Sequence, residues 1–151
     1  MFPKFHVLLG LIFSIIVFLI FPFIGLLGLT IIFLSSFLID FDHYLYYFFN
    51  KKSLNLKKSY LWFKEKGEKF SKLPKKEMKN YSLIVSYFHG LEWVILFFIL
   101  GHFFQNFFYF VGIGMLFHLV LDWIYSYLTL GRFFKISVIF DYFHNKNLKK
   151  F

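Results

Sequence analysis

The chain contains no cysteine and only a small share of charged residues. The absence of cysteine excludes disulfides, thiolate metal ligands and cysteine nucleophiles. Charged residues make up 17% of the chain and hydrophobic residues 59%, whereas soluble domains average about 25% and about 45–50%. The apolar residues form long blocks almost free of charge, which is typical of membrane-spanning helices. The composition therefore predicts an all-α integral membrane protein.

The apolar blocks predict four transmembrane helices arranged as two hairpins. Pro22 and Gly25 break the first block, Val7–Ile39, which is too long for one span. Leu83–Leu100 and Phe107–Leu130 contain the third and fourth spans. The N-terminal block also resembles a signal peptide, but no small-residue cleavage site follows it, and we expect it to be retained. The predicted segments are a first hairpin at 1–49, a basic segment at 50–80, a second hairpin at 81–130 and a basic tail at 131–151.

The positive charge is confined to three places. All 17 Lys and Arg residues lie at Lys4, between Asn50 and Asn80, or from Arg132 onward. With four spans these places share one side, so the positive-inside rule predicts a cell-membrane protein with both termini in the cytoplasm. This distribution argues against a nucleic-acid partner despite the net charge of +9. The basic segment is either an amphipathic helix on the membrane surface or a solvated loop.

Histidines and carboxylates interrupt the apolar blocks at four places. A rise of 1.5 Å per residue places them about 20–25 Å from the outer turns, and hence at one level near the cytoplasmic face of a hydrocarbon core about 30 Å thick. The spacings within three of these places, i,i+3 or i,i+4, predict pairs on one helix face. The interrupting residues are His6; Asp40, Asp42 and His43; His89 and Glu92; His118 and Asp122.

These eight residues are candidate metal ligands. The four predicted spans contain no Lys or Arg, so a bound cation is the simplest source of positive charge for their carboxylates. Nitrogen and oxygen ligands without sulfur favour zinc first, then manganese or iron(II), over magnesium. The set suffices for one or two divalent ions. Glu92 and Asp122 are also candidate catalytic residues, Glu92 being either a ligand or a general base.

Simpler interpretations exist for several of these residues. His6 can be a hydrogen-bonded packing residue, Asp40 or Asp42 can be the polar end of the second span, and the whole set can be a structural ion-paired network. Three other polar residues, His102, Asp141 and His144, lie in a turn or the tail, and we expect no special role for them.

The motifs resemble those of a family of membrane-bound, metal-dependent hydrolases of the prokaryotic inner membrane. The matching motifs, in chain order, are His6-x-x-x-Gly10, Asp40-x-Asp42-His43, His89-Gly90 and Gly114-x-x-x-His118-x-x-x-Asp122. Many members carry an arginine and a second histidine in the third motif, whereas this chain has Leu91 and Glu92 after His89-Gly90. If that arginine contacts an anionic substrate, another group must replace it; Arg132, the only arginine, is a candidate, with a plain membrane anchor as the alternative.

We therefore expect a membrane-embedded hydrolase with its metal site at the cytoplasmic face. Metal would lower the pKa of a bound water towards about 7, and the hydroxide would attack the substrate. The lysines of the basic segment favour an anionic lipid or a lipid-linked phosphoester as the substrate. The alternatives are a metal-ion transporter or sensor, which a site near one face and only four spans disfavour, and a metal-stabilised membrane scaffold without catalysis.

Overall fold

The computed structural model describes residues 3–78, 81–82, 87–131, 133, 136–145 and 149–150. Arg132 and the beginning of the predicted third span lie outside these residues. Apart from loops and turns, the described chain is helical with one two-residue parallel pairing, in which β1 (Tyr81–Ser82) lies beside β2 (Lys149–Lys150). The helices are α1 (Pro3–Ile20), α2 (Gly25–Leu38), α3 (Phe41–Lys51), α4 (Leu56–Ser71), α5 (Lys75–Met78), α6 (Leu91–Phe103), α7 (Phe107–Leu130) and α8 (Val138–Asn145).

A tight turn separates α1 from α2 at the predicted break. Pro22–Ile24 forms one 3-10 turn, and Gly25 follows with a φ of 64°. Proline cannot donate the next helical hydrogen bond, and glycine accepts a positive φ without steric cost. The chain therefore reverses here, and α2 packs back against α1.

A short irregularity at Ile39 and Asp40 separates the second apolar helix, α2, from α3. Asp40 N–H bonds Phe37 O at 3.2 Å, and His43 N–H bonds Asp40 O at 3.1 Å. These are i→i−3 bonds, which tighten the helix locally and change the direction of its side chains. As a result α3 continues from α2 with only a short irregularity, which holds the Asp40–His43 motif.

The helices expose many apolar side chains and bury several polar ones. Exposed residues include Leu19, Leu26 and Leu128, each at least 70% accessible. The buried polar residues include Ser14, Ser36, His6, His89 and His118, all fully inaccessible. Soluble monomers rarely expose apolar surface on this scale, whereas lipid favours it.

Three helical segments are long and apolar enough to cross a membrane: Pro3–Ile20, Pro22–Lys51 and Phe107–Thr129. The second joins the 3-10 turn, α2 and α3 into one candidate span. The fourth predicted span is not established, because α6 begins only at Leu91 and has 13 residues. At 1.5 Å per residue α6 covers about 20 Å, which is less than a hydrocarbon core of about 30 Å.

Helix α7 is central to the bundle. It packs against α1, α2 and α6. The apolar core between α2, α6 and α7 is built on Ile39, Val94, Met115 and Leu119. Residues 104–106 alone connect α6 to α7, so the turn is shorter than the predicted Gly101–Asn106.

The basic segment contains a well-formed helix rather than a solvated loop alone. The side chain of Asn55 accepts a hydrogen bond from Lys58 N at 2.9 Å and so caps the start of α4. Helix α4 packs against α3. Its inward-facing residues are spaced as in an amphipathic helix, one of the two alternatives that the sequence left open; they are Ser59, Trp62, Phe63, Lys66 and Phe70.

Candidate metal centre

Glycines set the distance between the helices that carry the histidines. A Cβ atom at Gly10 would overlap Ser36 Oγ, and one at Gly114 would overlap Ser35 Oγ and Ile32 O. Gly10 lies one turn after His6 on α1, and Gly114 lies one turn before His118 on α7. Small residues at these positions let helix backbones approach closely, so both imidazoles can reach a common point beside α2.

Six imidazole and carboxylate side chains meet in two adjoining groups. Each group offers three ligand atoms that lie within 4.8 Å of one another. The first group contains His6, His118 and Asp122; the second contains Asp40, His43 and His89. His89 Nε2 lies 3.1 Å from His118 Nε2, so the two groups form one cluster.

Carboxylates bridge the histidines of this cluster. Asp122 Oδ1 lies 3.2 Å from His6 Nε2, and Asp122 Oδ2 lies 3.8 Å from the Nε2 atoms of both His89 and His118. Asp40 Oδ1 lies 3.3 Å from His89 Nε2, 3.6 Å from His118 Nε2 and 3.8 Å from His43 Nε2. Zinc–nitrogen bonds of about 2.1 Å place tetrahedral ligand atoms about 3.4 Å apart, so the shorter separations suit ligands of a common ion.

The hydrogen-bond partners of the Nδ1 atoms determine the tautomers of His89 and His118. His118 Nδ1 lies 2.8 Å from Ser36 O, and His89 Nδ1 lies 2.9 Å from Asp42 Oδ2. A carbonyl and a carboxylate only accept hydrogen bonds, so both Nδ1 atoms carry the proton. In neutral imidazole, Nε2 then bears a lone pair. When both rings are neutral, two lone pairs face each other across 3.1 Å, an arrangement that a cation stabilises.

Asp42 is placed to orient ligands rather than to be one. Its Oδ2 accepts hydrogen bonds from Phe88 N–H at 3.1 Å and from His89 Nδ1. Its Oδ1 lies 2.7 Å from His43 Nδ1. Carboxylates behind metal-binding histidines commonly hold the ring and its tautomer in this way. The sequence treated Asp42 as a ligand because spacing alone cannot distinguish the two carboxylates of Asp-x-Asp-His.

The ring nitrogens of buried His6 make no well-directed hydrogen bond within the described chain; the nearest acceptor is Asp122 Oδ1, 3.2 Å from Nε2. Its ring stacks on that of His118 with centroids 3.9 Å apart. A buried polar nitrogen without a hydrogen bond is costly, and a metal ion accepts the lone pair that protein atoms leave unused. The geometry therefore suits His6 better as a ligand than as a hydrogen-bonded packing residue.

Glu92 does not join the cluster. Its carboxylate accepts hydrogen bonds from Ser137 Oγ–H and from the backbone N–H groups of Val138 at 3.1 Å and Ile139 at 3.4 Å. These N–H groups begin α8, and a carboxylate there satisfies donors that the helix itself cannot. The predicted pairing of His89 with Glu92 on one helix face is wrong, because His89 precedes α6 while Glu92 lies in its first turn.

The non-helical stretch before α6 is held by hydrogen bonds on several sides. Leu91 N–H bonds Ile136 O at 3.0 Å, and Trp93 Nε1–H donates to Tyr87 O at 2.7 Å. Irregular backbone at membrane depth needs such partners. His89 is therefore held by Asp42, and Leu91, two residues further on, by Ile136 in the segment before α8.

Burial differs among the residues of the centre. His6, His89 and His118 are fully buried, whereas the His43 side chain is 25% exposed and that of Asp40 is 12% exposed. The Asp40–His43 edge is consequently the open side of the cluster. Of the remaining predicted polar residues, His102 lies in the last turn of α6, and Asp141 lies in the first turn of α8.

Fold and site define a helical protein with candidate membrane spans and a buried His/Asp cluster that can hold metal. No protein-family model, curated protein or solved structure matches the chain. The resemblance to membrane-bound hydrolases therefore stays a prediction that depends on the motifs alone.

Proposed function

We propose that the protein is a membrane-embedded, metal-dependent hydrolase with its centre near the cytoplasmic face. The main observation in favour of a metal ion is that the Nε2 atoms of His89 and His118 lie 3.1 Å apart. The Nδ1 atom of each ring already donates its proton to a hydrogen bond. Without a metal ion one of the two rings must take a second proton, which Asp40 Oδ1, 3.3 Å from His89 Nε2, is placed to accept as a hydrogen bond; a metal ion would accept the lone pairs directly.

The two groups of three ligands support a centre of two divalent ions. One ion would be held by His6, His118 and Asp122, and the other by Asp40, His43 and His89. Asp40 and Asp122 both lie close to histidines of the opposite group, so they are placed to bridge. Zinc is the first choice for this nitrogen and oxygen set, followed by manganese and iron(II).

Hydrolysis is the chemistry that such a centre best supports. A metal ion there would supply an acidified water with a pKa lowered towards about 7. Asp40 and His43 lie on the open edge, so the substrate would approach from their side. Asp122 would act as both a ligand and a catalytic group, whereas Glu92, engaged at α8, is left as a structural residue. A lipid or lipid-linked phosphoester is the proposed substrate, because the nearby lysines attract anionic headgroups.

A metal-stabilised scaffold is the second candidate. The cluster connects α1, α3, α7 and the stretch before α6, so metal bound there would stabilise the bundle even without turnover. A transporter would also need a path for the ion across the membrane, and a sensor would need a conformational response to metal. The contacts among the described residues point to neither.

The test compares metal content and phosphoester turnover of the purified protein with those of Asp122→Asn. The control is Glu68→Gln, an exposed residue of α4. We expect Asp122→Asn to lose at least one metal equivalent and to reduce turnover by at least about 100-fold, with Glu68→Gln unchanged on both measures. Metal in the wild type without turnover on any phosphoester would favour the scaffold, and a wild type without metal would refute the centre.

A further inference from the structure

One side of α4 combines exposed apolar and basic residues. Leu56, Lys57, Tyr60 and Lys64 are all exposed. Their spacing of three and four residues places them on one face, which we call the basic face of α4. Gly67 continues this face and leaves its backbone uncovered, since a Cβ there would meet nothing within 4 Å.

The side of α4 that adjoins this face contacts the centre. The Phe63 ring stacks on that of His43 with centroids 5.3 Å apart and planes at 26°. His43 is the most exposed histidine of the cluster, so Phe63 covers part of its open edge. Next to it, Trp62 packs on Tyr47 of α3 at 5.7 Å. A change in the position of α4 would thus be felt directly at His43.

The position of α4 along the chain places it beside the membrane. The candidate span Pro22–Lys51 ends only a few residues before α4 begins at Leu56. If that segment crosses the bilayer, so short a connection keeps the start of α4 at the level of the lipid headgroups.

The charge of this region specifies which headgroups it suits. Eight lysines and two glutamates lie between Lys51 and Lys72. Glu65 pairs with Lys69 at 2.6 Å on the other flank of the helix. Lys64 and Glu68 are 3.8 Å apart and both well exposed, a contact too weak to compete with a phosphate. The basic face therefore keeps its positive charge available to anions.

We propose that the basic face of α4 docks on anionic phospholipid headgroups, and that this docking holds Phe63 over His43 and limits access to the centre. The second half of the proposal depends on the proposed metal centre, whereas the first half does not. Tyr60 and Leu56 would enter the boundary between headgroups and acyl chains while Lys57 and Lys64 contact phosphates, as amphipathic interfacial helices do.

Docking is tested with a spin label at position 60. The chain has no cysteine, so Tyr60→Cys gives a unique attachment site on the full-length protein. In nanodiscs of phosphatidylcholine with about a third of phosphatidylglycerol, we expect at least about tenfold more lipid-immersed label than in phosphatidylcholine alone, since each lysine near an anionic leaflet contributes about fivefold. Equal immersion in the two lipids would overturn the proposal.

Matched charge variants show whether the face itself is responsible. Lys57→Gln with Lys64→Gln should abolish the lipid difference, and the corresponding Arg pair should preserve it. Lys58→Gln with Lys69→Gln removes the same charge from the other flank and should leave most of the difference. Equal effects of the two Gln pairs would refute a specific face. An equal response to inorganic phosphate with phosphatidylcholine would assign the site to free phosphate instead and overturn lipid docking.

Access to the centre is tested by the rate at which a chelator removes zinc. We expect the anionic nanodiscs to slow removal from the wild type by at least about fivefold, and Phe63→Ala to be fast in both lipids while Phe63→Leu stays intermediate. A protein that binds no zinc would fail this measurement and the proposed function together, but the spin-label result would still decide the docking. Zinc removal that is independent of lipid in the wild type would overturn the coupling to His43.

Discussion

Single residues in this centre differ in role according to which of their atoms face inward. Asp40 and Asp42 are two residues apart, yet Asp40 Oδ1 faces Nε2 atoms and Asp42 faces Nδ1 atoms. Because the Nε2 side of the rings faces the centre of the cluster, Asp40 is placed to share a cation with the histidines, whereas Asp42 is placed to fix their orientation. The same motif thus supplies one ligand carboxylate and one orienting carboxylate.

Replacing Asp42 by asparagine should weaken metal binding without abolishing it. An amide offers one acceptor where the carboxylate offers two, so either His89 or His43 loses the partner of its Nδ1 proton. We expect affinity to fall about 10–100-fold, the usual effect of losing such a partner. Competition with a chromogenic chelator measures the change, with Glu68→Gln as control. A complete loss of metal, as expected for Asp122→Asn, would instead make Asp42 a ligand.

Replacing Glu92 by glutamine should weaken the attachment of α8 and leave metal binding unchanged. Glutamine keeps an acceptor but loses the charge that favours the N-terminus of α8, so the attachment should weaken by about 1 kcal/mol. Hydrogen exchange of the α8 amides should accelerate several-fold while metal content stays unchanged; Glu65→Gln on α4 is the control. Loss of metal with normal protection of α8 would contradict this assignment.

Among the helices, close approach decides whether the histidines can meet. Helices α1 and α7 each bring a glycine against a serine of α2, one helical turn from the histidine that they carry. Lipid tails are as apolar as the side chains, so the hydrophobic effect does not drive helices together within a membrane. Their association depends instead on close packing of this kind. This close approach explains the spacings His-x-x-x-Gly and Gly-x-x-x-His, in which the glycine lies one turn from the histidine.

Gly114→Ala should separate α7 from α2 and reduce metal binding. The new Cβ would overlap the backbone oxygen of Ile32, which cannot move aside as a flexible side chain can. We expect a loss of about 1–3 kcal/mol in stability and a weaker metal titration. Gly67→Ala is the matched control, since open space surrounds that position on α4 and alanine favours helix. Equal behaviour of the two variants would refute the packing argument.

The helical bundle buries a cluster of ionisable side chains, so its stability depends on how the charge of this cluster is neutralised. Imidazoles and carboxylates from distant parts of the chain converge in it. A ligand that binds only the folded state stabilises that state by mass action.

Divalent metal should therefore raise the melting temperature of the protein. At 100 times the dissociation constant the stabilisation is about 2.7 kcal/mol. Chelator should reverse it, and acidification should weaken it because histidine must be deprotonated to bind metal. Thermal unfolding in detergent followed by circular dichroism measures these shifts. Asp122→Asn should show almost no response to metal; an undiminished response would place the ion elsewhere.

Both termini and α4 should face the cytoplasm if four spans are present. Cysteine introduced at Gly67 should react with a membrane-impermeant maleimide only after cells are opened, and cysteine at Gln105, between α6 and α7, should react in intact cells. The absence of native cysteine makes each label unambiguous. Labelling of both positions from the same side would show that α6 does not cross the membrane.

The sequence by itself determined the helical class, the break at Pro22 and Gly25, and a set of eight polar residues that includes the six of the cluster. These follow from local hydropathy and from distances counted along single helices, which need no knowledge of neighbours. Only the tertiary structure decided that Asp42 lies behind the histidines, that Glu92 holds α8, and that Phe63 covers His43. Those roles depend on the direction of each side chain and on contacts between segments far apart in the chain. Spacing in a sequence fixes neither of them.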